Sequence, residues 1–135
     1  MSQKVEDVIN EYVTDVTMRN AMQGFVDCVM GMMSPSPDSP GSAIKSMRFI
    51  MKTVHENPAL TAWTTTVVNY LAEITALADL YHSESRARGA DTPHVMGIAG
   101  VVFSLMTAVL HILYTEAYKG TVSAEFVGRI LAAKA

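Results

Sequence analysis

From Thr92 to Thr115 the chain carries no Asp, Glu, Lys or Arg. The twenty residues 95–114 within this stretch have the length that crosses a lipid bilayer. A helix apolar on every side is also what a large bundle places at its centre. Three features favour the bundle. His111, Ser104 and Thr107 lie inside the segment, and a histidine deep in hydrocarbon is costly. Arg86 and Arg88 on one side and Lys119 on the other give no clear charge asymmetry to orient a span. Four amphipathic stripes also precede the segment, and each needs an apolar partner. The segment is therefore expected to be a helix buried on all sides, with Gly97, Ala99 and Gly100 admitting neighbouring backbones. A transmembrane span over 95–114 is the rival reading.

The 135 residues suit one domain over 1–135. Half are apolar and only 17% are charged, which excludes a disordered chain. The net charge is −3 and the ten basic residues are scattered. Nucleic-acid affinity rests on clustered Lys and Arg, so no nucleic-acid partner is expected. The single cysteine, Cys28, sits among Val26, Val29 and Met30 and reads as a buried, inert thiol. The start MSQKVEDV lacks the basic-then-apolar pattern of a secretory leader, so a cytoplasmic protein is expected. Of ten methionines, seven cluster in 18–33 and 47–51; they read mainly as core filler, although methionine also lines adaptable surfaces.

Helical periodicity runs along the chain. Val5, Val8, Ile9, Tyr12, Val13 and Val16 form one stripe, with Ser2 as a candidate N-cap. The phase is lost around 17–20 and resumes with Met22, Phe25, Val26, Val29, Met30 and Met33. Residues 34–42 hold three prolines and a glycine and form a loop. Ser42 would cap the next helix, with Ile44, Met47, Ile50, Met51 and Val54 inward and Lys45, Arg48 and Lys52 outward. Pro58 ends it. Leu60 and Trp63 lead into a helix bearing Val67, Val68, Leu71, Ile74, Leu77, Ala78 and Tyr81. Residues 82–91 read as a polar hinge, Pro93 starts the apolar helix, and Lys119-Gly120 ends it. Phe126, Val127, Ile130 and Leu131 mark a last helix capped by Ser123. The expected fold is all-α: a globular bundle of six to seven helices around a central apolar hairpin.

Nothing in these patterns carries chemistry. The histidines, His55, His82, His94 and His111, lack metal-ligand spacing, so no metal or other cofactor is expected. His111 reads as a satisfied core histidine, and Asp79 with His82 as a solvated pair one turn apart. No phosphate loop, nucleophile elbow or Cys-His pair is present. A non-enzymatic interaction protein is the expectation.

The order of elements resembles the Bcl-2 family of apoptosis regulators. The segment 46–57, SMRFIMKTVHEN, resembles that family's fourth helix. Ala62-Trp63-Thr64-Thr65 falls where the family carries Asn-Trp-Gly-Arg, keeping the tryptophan and departing elsewhere. Phe126 and Val127 match its second homology segment, but Ser123 stands where a tryptophan is usual. The short length, with no membrane anchor after Leu131, is similar to compact viral members that block host cell death.

The resemblance implies a surface groove for the amphipathic death-motif (BH3) helix of a pro-apoptotic protein. Phe25, Val29, Arg48, Ile50, Val54, Ala62, Trp63, Thr65 and Val68 would line it. In the family an arginine at the Thr65 position pairs with an aspartate of the bound helix. Threonine cannot supply that charge, so Arg48 substitutes or binding rests on apolar contacts. A narrow set of ligands follows. The resemblance also implies a cytoplasmic site in the host cell, at mitochondria in some members. A homodimer, membrane association without a tail anchor, and a helical viral or phage assembly protein stay open as alternatives.

Overall fold

The computed structural model describes residues 4–34, 47, 48, 50–52, 54–117 and 123–133. Among these residues the chain is an all-α bundle of six helices. They are α1 (Val5–Tyr12), α2 (Val16–Met33), α3 (the helical residues within 47–56), α4 (Thr64–Arg88), α5 (Pro93–Ala117) and α6 (Ser123–Ala132). A 3-10 turn, Pro58–Trp63, joins α3 to α4. The expected caps Ser2 and Ser42, the 35–42 part of the proline-rich segment, and Lys119-Gly120 lie outside the described residues.

The first break falls earlier than periodicity suggested. α1 stops at Tyr12 and α2 begins at Val16, so 17–20 is helical. The cause is local. Asp15 takes an extended conformation and its carboxylate accepts from the Met18 N–H at 3.1 Å, the geometry of a strong N-cap. Arg19 then donates from Nε to the Val13 carbonyl at 2.9 Å and from its guanidinium to the Asn10 carbonyl at 3.4 Å. These are end-of-helix carbonyls with no partner of their own. Val16, assigned to the first stripe, faces solvent.

The expected hinge at 82–91 is mostly helix. α4 continues to Arg88 and ends at Gly89, whose φ of 92° lies in the region that favours glycine. The polar residues there suit a helix end. Glu84 and Arg88 pair one turn apart at 2.6 Å, and Arg86 and Arg88 oppose the helix dipole. Thr92 donates to the Gly89 carbonyl at 3.0 Å, and Pro93 opens α5 directly. α3 ends as expected: Asn57, before Pro58, is extended and accepts from Ala59 N–H.

The antiparallel α4–α5 hairpin is the most extensive helix pairing. α2, α6 and the 3-10 turn also lie against α5, and α1 bridges α2 and α6. One core joins all six helices. It includes Ile9 from α1, Phe25 from α2, Ile50 from α3, Ile74 from α4, Leu110 from α5 and Phe126 from α6.

α5 is not buried all round, and this corrects the sequence expectation. Val95, Val102, Met106, Val109, Leu110 and Leu113 enter the core, yet only 39% of its apolar window is buried. Met96 and Val101 are 61% and 49% exposed. Gly97 and Gly100 have open space where a side chain would stand, so no backbone approaches them closely. His111 is exposed rather than a core histidine. The reason is layering: the other helices cover one side of the hairpin and leave the other uncovered. α5 remains the one described helix long and apolar enough to cross a membrane.

Candidate functional site

The nine residues proposed for a groove divide into two groups. Phe25 and Val29 stand one turn apart on α2, and Ile50 and Val54 one turn apart on α3. All four are 0% exposed and belong to the common core. As groove walls they would have to be accessible, and here they are interior side chains. The physical reason is that the apolar stripes of α2 and α3 close onto the same core instead of leaving a cleft between them.

The other five are at the surface. Arg48 on α3, Ala62 in the 3-10 turn and Thr65 in the first turn of α4 are all exposed. Trp63 is 36% exposed and Val68 is 44% exposed. Periodicity had placed Val67 and Val68 in one stripe. The structure separates them: Val67, Leu71, Ile74 and Ala78 form the inward face of α4, and Val68 falls one residue out of that phase. Trp63 is fixed at its polar edge, where the indole N–H donates to the Glu116 carboxylate at 2.9 Å. Leu60, three residues earlier, is buried and anchors the same turn.

Three polar contacts had no sequence signal, because each joins residues far apart in the chain. The first is the Trp63–Glu116 bond. The second links His82 on α4 to the Met32 carbonyl near the end of α2. It replaces the expected Asp79–His82 pairing, since a helix-end carbonyl lacks an internal partner. The third clamps α6 to α1. The Tyr12 hydroxyl donates to Glu125, and Arg129 reaches Glu11 at 2.9 Å and the Tyr12 hydroxyl oxygen at 3.2 Å. The Arg129 guanidinium also lies 5.4 Å from the Tyr12 ring centre.

Electrostatics follow from this clamp. The hydrogen bond to Glu125 holds the Tyr12 phenol above its ordinary range, helped by desolvation and opposed by Arg129. The bond to Glu11 pushes the Arg129 guanidinium further up, so it stays charged. Beneath the clamp, Tyr114 and Phe126 stack with ring centres 4.3 Å apart, and Tyr12 meets Phe126 at 5.8 Å. Among the described residues no group of three His, Cys, Asp or Glu converges as a metal site. Cys28 is buried. What the arrangement offers is partly exposed apolar side chains, Trp63 and Val68, at the start of α4.

No family model, curated protein or solved structure matches this chain.

Proposed function

We propose that the protein is an interaction module that holds an amphipathic helix of a partner, and that it acts as an inhibitor of cell death by sequestering a BH3 helix. The observation that carries the reading is the surface at the start of α4. Trp63 and Val68 are exposed there in spite of their apolar side chains, and exposed apolar anchors of this kind can seat the apolar face of an amphipathic helix. Exposed Arg48 supplies a cation for an acidic residue of the ligand. Isothermal titration of BH3 peptides against the full chain tests it: saturable binding is expected, and no heat with any peptide ends the reading. Because Arg48 is solvated, Arg48→Ala should weaken binding by only about two- to fivefold.

A second reading rests on the open face of α5. A helix of membrane-spanning length with 39% of its apolar window buried can contact lipid or protein. Carbonate extraction distinguishes it: retention in the membrane pellet favours it, and full release removes it.

A further inference from the structure

The clamp between α1 and α6 meets at one hydroxyl. Tyr12 Oη donates to Glu125 Oε1 at 2.5 Å and accepts from Arg129 Nη1 at 3.2 Å. Arg129 Nη2 in turn holds Glu11 Oε2 at 2.9 Å. The Tyr12–Glu125 bond is exposed to solvent, while the Tyr12 ring packs on Tyr114 and Phe126 beneath it. The polar tip of Tyr12 thus lies at the surface, and it ties two helices that are more than a hundred positions apart in the chain.

Its place in the chain suits an enzyme that takes a short peptide segment. Tyr12 is the last residue of α1, and the chain leaves it extended: Val13 has φ −113° and ψ 105°, and Asp15 has φ −69° and ψ 118°. α1 is eight residues long, too short to hold its last turn without tertiary packing, and helix ends open locally more often than helix centres. Glu6, Asp7 and Glu11 precede Tyr12 and Asp15 follows it, with no Lys or Arg anywhere in 5–18. A segment with this charge pattern complements a basic peptide cleft.

We propose that Tyr12 is a phosphorylation site for a tyrosine kinase with a basic peptide cleft, and that the phosphate releases α6 from α1. The Tyr12 oxygen attacks the γ-phosphorus of a nucleoside triphosphate held by that kinase. A new P–O bond forms, the bond to the departing diphosphate breaks, and the phenol proton passes to the kinase's base. Charge decides the consequence. The modification removes the donor from which Glu125 accepts and adds about −1.5 to −2 charges at that point. The phosphate stands beside Glu125 and one guanidinium away from Glu11. Within this network Arg129 then faces three anions, so repulsion outweighs its attraction. α6 is ten residues long and loses its helix once it leaves the core. Phe126 and Ile130, both fully buried, become exposed with it. The switch goes beyond helix binding at α4 and stands without it.

Treatment of the full folded chain with a purified tyrosine kinase of that preference, ATP and Mg²⁺, followed by mass spectrometry, tests the site. One added phosphoryl group is expected at Tyr12, and Tyr12→Phe should lack it. Transfer to other tyrosines only, or no transfer to the folded chain, would overturn the proposal. Hydrogen exchange then tests the release. Amides of 123–132 are expected to exchange at least about tenfold faster in the phosphorylated chain, with α2 nearly unchanged. Equal protection of α6 in both forms, or loosening of α2 together with α6, would overturn it. Glu125→Gln separates charge from bulk. In its phosphorylated form α6 should recover much of its protection, and loosening equal to that of the wild type would overturn the charge mechanism.

Discussion

Trp63 and Glu116 are 53 positions apart, yet the indole N–H of the first donates to the carboxylate of the second at 2.9 Å. The bond closes the open end of the α4–α5 hairpin and sets the pose of the one tryptophan in the chain. Trp63→Phe keeps most of the ring and removes the donor. Partial exposure limits the loss, so urea unfolding should show a decrease of about 1 kcal/mol. A change well above that would mean that the ring carries more packing than its exposure suggests.

Asp15 starts α2 through its bond to Met18 N–H. Asp15→Ala should cost about 1 kcal/mol, and Asp15→Asn much less, because asparagine caps nearly as well. Circular dichroism melts of the two variants make the comparison. Equal losses would show that charge rather than capping is at work.

Phe126 is fully buried against Tyr114. Phe126→Ala should destabilise the fold by about 3–5 kcal/mol. A far smaller loss in denaturant titration would mean that α6 is only loosely seated on α1 and α5.

The Tyr12–Glu125 bond gives a pH dependence with a defined sign. Tyr12 ionises above its ordinary value of 10.0 in the folded chain, so the folded state keeps this proton where the unfolded state has lost it. The contribution is complete below pH 10.0 and falls as the pH rises through the folded value. Melting temperatures measured from pH 8 to 11 should fall more steeply for the wild type than for Tyr12→Phe, about in proportion to one proton. Parallel curves would contradict the assignment. Arg129 contributes no such window, because its raised guanidinium stays protonated throughout.

Much of the architecture was legible from apolar spacing alone. Val5, Val8 and Ile9, then Phe25, Val26 and Val29, then Ile50 and Val54, then Phe126 and Ile130 are buried as their periodicity implied. Pro58 and Pro93 mark helix ends for reasons local to the backbone, whereas α4 runs through most of the expected 82–91 hinge to Arg88. What could not be read depended on neighbours. The sides of α5 are chemically alike, so composition could not tell which side the bundle covers. Val67 and Val68 differ only in phase. The exact end of α1 rests on Asp15 and Arg19 bonding across a three-residue break. For the candidate site, sequence indicated which side chains are apolar, but not that Phe25, Val29, Ile50 and Val54 would be closed into the core while Trp63, Thr65 and Val68 remain outside.

The most direct test of helix binding is chemical-shift mapping of the full chain with a BH3 peptide. Perturbations should concentrate at Arg48 and 62–68 as the peptide saturates the protein. Shifts confined to Met96, Val101 and the open face of α5, or no shifts at all, would contradict the account.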